Sequence, residues 1–387
     1  MKLTVDLFMP ASEIHPTQQI FPVRLAIFFL GFLLTPVVNA DTGQGTYPET
    51  VRITAVGDIM MGGSARPEFV KFGFDYAFDG TRKILGQSHV VFGNLEGPLT
   101  HRGKAEKNKK YVFRSPPAKV ARALQNAGFD VVSLANNHSL DYGAAGLADT
   151  IDALAAEGIR HVGAGQNSSD ARSPTFVIVG DHAIAFLAYS LTFPENFWAT
   201  RTRPGTAFGH EKHIIADIKA ARDVADIVLV SFHWGQESTT ELREYQTRLG
   251  RAAIDAGAQA VLGHHPHILQ GVEHYKQGVI LYSLGNFVFG SYSRKSRHSV
   301  IAHLYFAGSR LSQVRLLPIN VLNADVVFRP TLLQKENANK VVRELQVMAA
   351  ELGTRIVNDH GVGVVDLHSG MVASDTKNAQ SQNEYGR

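Results

Sequence analysis

The 387-residue chain contains no cysteine. That excludes disulfides, thiolate metal sites, a cysteine nucleophile and a lipidated N-terminal cysteine, and it is compatible with an oxidising compartment. A charge excess is also lacking. Thirty-eight basic against 35 acidic residues leave a formal net charge of +3, so bulk electrostatics give no basis for nucleic-acid binding. Nor is there a long hydrophobic run: the most apolar stretch, LAIFFLGFLLTPVV at 25–38, is shorter than the about 20 residues a membrane-spanning helix needs. Lying behind Arg24 and followed by Val38-Asn39-Ala40, it reads as a secretory signal cleaved after Ala40, with retention as a membrane anchor as the alternative.

What is present is an ordinary globular balance, 44% apolar and 19% charged, in a chain long enough for one large core or two domains. Residues 1–40 are the signal peptide or anchor and 41–50 a polar linker. A main domain over 51–322 precedes a C-terminal extension with one helix at 323–361, and 362–387 reads as a disordered tail. Within the main domain, apolar strand-like runs at 51–56, 89–92, 130–134, 226–232, 258–263 and 278–284 are interleaved with helical periodicity. Helices are predicted over 117–127, 144–157, 211–224, 241–256 and 337–351. Two further pairs, 175–180 with 183–189 and 299–306 with 311–317, read as antiparallel, and 191–209 is a loop rich in proline and aromatics. Near-continuous apolar strands separated by helices point to an α/β core with helices on both faces.

Almost every such strand ends in a polar cluster: Asp58, Asn94 with Glu96, Asn137 with His138, His233, His265 with His267, and Asn286. In an α/β fold the C-terminal strand ends lie side by side and form the ligand-binding edge. Two divalent cations about 3.5 to 4 Å apart need a bridging carboxylate plus imidazole and amide ligands, and this set supplies them. Without thiolates, the donors favour Mn, Zn or Fe. Each residue taken singly has a plainer reading. Asp58 can cap the segment after its strand, Asn137 can serve a turn, and His138 and His233 can be satisfied core histidines. His264 reads as a supporting residue, because three adjacent imidazoles are hard to fit around one ion. Recurrence at six strand ends favours the joint reading.

Six ordered motifs then carry a resemblance. GDIMMGG (57–63), GNLEGPL (93–99), SLANNHSLDYG (133–143), FHWGQE (232–237), GHHPHILQG (263–271) and YSLGNFVF (282–289) resemble the bacterial capsule-synthesis CapA family, which includes poly-γ-glutamate biosynthesis proteins. That family is similar in fold to calcineurin-like metallophosphoesterases. The resemblance implies an αββα layered sandwich with mixed sheets, and metal ligands at Asp58, Glu96 or Asn94, Asn137, His138, His233, His265 and His267. Met60 stands where those enzymes place a metal histidine, and Glu96 lengthens the bridging carboxylate.

The expected activity is metal-assisted hydrolysis or transfer with one or two ions. Asn137 would orient an anionic oxygen, His138 would take part in catalysis, and Glu237 would move a proton or steady His233. Arg114 would meet a carboxylate or phosphate, and Asn286 and His264 would support the ligands. The implied partners are an anionic envelope polymer, poly-γ-glutamate or capsular polysaccharide, and membrane synthase subunits, with no nucleic acid. The alternative is a non-catalytic scaffold that binds polymer through this cleft and through Arg66, Lys104, Lys107, Lys109, Lys110, Arg294, Lys295 and Arg297.

Overall fold

The computed structural model describes residues 50–368. The leader expected at 1–40, all but the last residue of the linker at 41–50, and the tail beyond 368 lie outside the described residues. No helix among the described residues is long and apolar enough to cross a membrane.

Two mixed β-sheets are stacked face to face. The larger has ten strands, and its main path runs 356–359, 362–365, 310–320, 298–307, 50–60, 90–95, 131–133 and 160–162. The strand Asn286–Phe289 joins it beside Thr50–Met60. The smaller sheet orders its six strands 272–275, 278–281, 260–264, 227–233, 182–190 and 175–179. Val51, Ile53 and Phe92 of the first sheet share one buried cluster with Phe186, Leu229 and Leu262 of the second. The Phe92 and Phe186 rings stack across the gap at 5.4 Å.

Helices cover the outer faces. Pro117–Ala127 turns Val120, Ala121, Leu124 and Ala127 inward at helical spacing and stops at Gly128, whose φ of 92° closes the C-terminus. With Gly143–Ala156 it packs on the outside of the large sheet. Glu211–Arg222 and Glu244–Ala256 cover the small sheet in the same way, through Ile214, Ile218, Leu249 and Ala253. The result is the layered αββα sandwich expected from the sequence.

Three expectations need correction. The first strand runs on to Met60, so Asp58 lies within it, held by parallel partners on both sides. The C-terminal extension, expected to hold one helix, also carries short elements at Asn323–Val326, Thr331–Leu332 and Ile356–Asp359, and its long helix Lys335–Ala350 places Val341, Val342, Leu345 and Ala349 in the inter-sheet core. Residues 362–365, assigned to the disordered tail, instead form a strand paired with both Ile356–Asp359 and Arg310–Asn320. Val362-Gly-Val-Val has the alternation of a half-buried strand, but the polar sequence around it hides the signal.

Candidate metal centre

Register brings the cluster together. Asp58 pairs with Asn94 on one side and with Asn286 on the other, across three neighbouring parallel strands. On the facing sheet His233 pairs with His264 at two adjacent strand ends. The chain then turns sharply, and His265 and His267 take φ values of 95° and 60°. Positive φ is costly for non-glycine residues and marks a turn fixed by its surroundings. Asn137 and His138 come from the turn after Val131–Ser133, just ahead of the Gly143–Ala156 helix.

The Asp58 carboxylate is fully buried. Oδ1 accepts from Asn94 Nδ2 at 2.8 Å, and Oδ2 accepts from the His265 backbone N–H at 3.2 Å and His267 Nδ1 at 3.1 Å. Burial opposes its ionisation, but the hydrogen bond and charge of His267 outweigh that, so its carboxyl sits below the ordinary value. His267 Nδ1 also lies 3.0 Å from Asn286 Oδ1. With Nδ1 so engaged, Nε2 is left for the cleft. Burial works against its charge, yet Glu96 and Asp58 overcome it and push its pKa up to about 9.

Glu96 sits at the centre. Its Oε1 lies 3.7 Å from His267 Nε2, 3.8 Å from His138 Nε2 and 4.0 Å from His233 Nε2. That oxygen is buried and has no hydrogen-bond partner, and the same holds for His265 Nδ1. Burial pushes the Glu96 carboxyl well above the usual range. Burial, then the charge of His267, takes His265 down to about 3, and burial with the surrounding imidazoles holds His233 well below its ordinary value. Unpartnered buried donor atoms are costly in a protein interior. Two groups of donor atoms, Asp58/Glu96/His267 and Glu237/His265/His267, each lie within 4.8 Å of one another and share His267. The donor set fits a divalent cation, with several imidazoles and carboxylates converging on atoms that nothing in the chain satisfies.

Asn137 Oδ1 meets His233 Nε2 at 2.9 Å and belongs to the same wall. His138 Nδ1 contacts Asp141 Oδ2 at 2.7 Å, which fixes the ring and aims Nε2 at Glu96. Burial lowers the His138 pKa against the pull of Asp141.

Other predicted residues take different positions. Asn94 accepts from Asn136 through Oδ1 and turns its NH2 towards Asp58, Glu96 (3.4 Å) and His233 Nδ1 (3.3 Å), so it braces the carboxylates instead of offering an oxygen. His264 is fully buried against Ser231 Oγ and the Val56 carbonyl, away from the open atoms. Arg114 is exposed, and its guanidinium stacks over Tyr142 at 4.7 Å from the ring centre.

Sequence reasoning missed Asp141 and Asn136, and it assigned Lys109 to polymer binding, whereas the ammonium is tied into the site. Asp141 stands three residues after His138 inside a quoted motif, the spacing of a carboxylate that orients an imidazole. Lys109 reaches from a distant loop to Asp141, His138 and the Asn137 carbonyl, a link with no local signature. Asn136 ties the turn to the neighbouring strand by donating to the Leu95 carbonyl and Asn94.

Residues 52–291 match the family described as bacterial capsule synthesis protein PGA_cap. The capsule biosynthesis protein CapA of Bacillus anthracis is 34% identical over 303 residues, covering 77% of this chain and 73% of that relative. The PGA biosynthesis protein CapA of Bacillus subtilis (strain 168) is 32% identical over 330 residues, covering 84% of each. Among solved structures, the calcineurin-like phosphoesterase YfkN from Bacillus subtilis aligns over 73% of this chain and 88% of its own. Its identity is 15% and its TM-score 0.38, too low to carry weight alone.

Proposed function

The chain belongs to the bacterial capsule synthesis protein family PGA_cap, and from that premise we propose that it is a metal-dependent hydrolase or transferase acting on an anionic envelope polymer outside the cytoplasmic membrane. Its place in capsule or poly-γ-glutamate biosynthesis rests on the family and on relatives named for that process. The catalytic reading rests chiefly on one observation: the Glu96 oxygen that faces three imidazoles and has no partner.

Asp58, Glu96, His233, His265 and His267, with Asn137 Oδ1, would hold one or two ions of Mn, Zn or Fe. A divalent cation bound there supplies Lewis-acid polarisation of a phosphoryl or carbonyl oxygen. The chain's own residues do the rest. Asp141 and Lys109 hold the His138 ring at Nδ1, leaving Nε2 to exchange a proton in the cleft. Asn94 keeps Asp58 and Glu96 apart and oriented through its NH2 group. Glu237, exposed at the rim beside His265 and His267, can exchange protons with solvent.

A second reading, polymer binding without turnover, is favoured by Met60. Its buried thioether replaces an imidazole that the resemblance leads one to expect, and it is a poor ligand for hard cations. Metal analysis with an Asp58→Ala/His138→Ala double variant separates the two. The catalytic reading expects one to two equivalents of transition metal, lost in the variant. It also expects turnover of bis(p-nitrophenyl) phosphate that chelation abolishes and Mn restores. No metal after reconstitution with Mn or Zn defeats the catalytic reading. Metal without turnover on activated esters or amides leaves the scaffold.

A further inference from the structure

A cavity of about 790 Å3 lies between the helix Lys335–Ala350, the segment around Lys295 and Arg297, and the two residues that follow His267 in the chain. Lys340, Glu344 and Val347 recur along its helical wall at the spacing of one helix face. Ile268, Leu269 and Met348 add apolar lining. Val347 is 64% exposed, although Val341 and Leu345 of the same helix are buried in the inter-sheet core.

The cavity gathers three exposed cations, Lys295, Arg297 and Lys340. None of the three forms an ion pair among the described residues. Arg343, on the same helix but outside the cavity, is by contrast paired with Glu336. Burial lowers the pKa of His298 in the cavity wall, Glu344 opposes that, and Arg297 and Lys340 lower it further. Two cations from different elements therefore act on one imidazole. Unpaired cations grouped in a concave site attract an anion and can hold it. Two carboxylates also line the cavity: Glu344, and Asp325 at 3.5 Å from Asn320 Nδ2. A bare polyanion would meet them as like charges. The lining thus calls for a ligand that brings N–H donors and apolar surface together with its negative groups.

A γ-linked glutamate chain has each of these parts. Every residue carries an α-carboxylate for the cations and an amide N–H for Asp325 and Glu344. Between successive amides runs a two-methylene stem that can pack on Ile268, Leu269 and Met348.

We propose that this cavity is a subsite for a γ-linked glutamate chain, with Lys295, Arg297 and Lys340 receiving its carboxylates. The proposal rests on the anionic-polymer reading above, but not on metal binding or turnover.

The test is a titration of the full chain with a fluorescein-labelled γ-linked glutamate decamer, followed by fluorescence anisotropy. Saturable binding is expected. Arg297→Gln and Lys340→Gln should each weaken it about tenfold, since each removes one charged contact from an exposed side chain. Arg343→Gln removes the same charge from the same helix outside the cavity, and should change the affinity less than about twofold. An α-linked glutamate decamer has the same charge without the methylene stem, and inorganic polyphosphate lacks both stem and N–H. Both are expected to bind about tenfold more weakly. Equal losses in all three variants, or equal affinity for the three polyanions, reduce the effect to bulk charge and overturn the proposal. So does an absence of binding by the parent. Decamer binding that ignores Arg297→Gln and Lys340→Gln refutes this subsite and leaves the anionic-polymer reading standing. A chain that lacks metal and esterase turnover yet binds the decamer through these residues keeps the subsite and loses the hydrolase.

Discussion

Lys109 is a half-buried cation whose partners explain its place. Its ammonium meets Asp141, His138 Nδ1 and the Asn137 carbonyl, and its side chain is only 13% exposed. Removing one member of such a pair strands the other charge in a low-dielectric interior, at a cost of about 3 to 5 kcal/mol. Lys109→Met is therefore expected to lower stability by about that amount in urea unfolding. Adding Asp141→Asn to that variant should recover part of the loss, because the stranded carboxylate is then gone. A second residue-level prediction concerns His303, away from the cleft. Burial, helped by Arg52 and Arg315, takes its pKa from the ordinary 6.5 down to about 4. The unfolded chain thus takes up this proton first. The full stability is present above pH 6.5 and is lost as pH falls towards 4, by on the order of 3 kcal/mol. His303→Gln should flatten that part of the stability profile relative to the parent, measured by urea midpoints at pH 7 and 4.5.

The strands meet most tightly where the ligands begin. A Cβ on Gly57 would come 1.8 Å from the Gly285 carbonyl oxygen, and Gly285 has a φ of 73°. That approach lets the Asp58 N–H reach Gly285 O at 3.0 Å and sets Asp58 beside Asn286. Gly57→Ala must push the two strands apart. It is expected to cost about 3 kcal/mol and to lower metal content, read by thermal melting and by metal analysis on the same sample. At this scale much was legible beforehand. The Pro117–Ala127 helix follows from its periodicity and its glycine stop, and the strand-end clusters from apolar runs that break into Asp, Asn, Glu and His. What was hidden depends on contacts remote in sequence. The extension of the first strand to Met60 comes from partners at 94 and 286, and the place of Lys109 from Asp141, 32 residues away. The orientation of Asn94 was illegible too, since only Asn136 on its far side tells which end of the amide faces the carboxylates.

The family match ends at 291, but the folded unit does not. The strand His298–Ala307 pairs antiparallel with Thr50–Met60 from Thr50↔Ala307 to Ala55↔Ala302, and Arg310–Asn320 pairs with it in turn. Val300, Leu304, Val314 and Leu316 complete the inter-sheet core, and Leu345 of the C-terminal helix closes it. A fragment of residues 50–291 would open one edge of the ligand-bearing strand and bare that core. It is expected to lack a cooperative urea transition and near-UV circular dichroism, whereas residues 50–368 retain both.

The six polar clusters stretch from residue 58 to residue 286 and come from both sheets. No short peptide of this protein therefore holds every donor of the metal centre proposed above, and during synthesis that set stays incomplete until nearly three quarters of the chain has emerged. Ion capture by such a centre would then be a late event that waits on tertiary closure. Divalent affinities follow a fixed order whatever the protein prefers, so the ion acquired is set by the supply at the place and moment of closure. A chain that closes only after export would draw on the metals outside the membrane. On the proposed metal-dependent reading, the same fold closed inside or outside the cytoplasm would carry different metals on identical ligands.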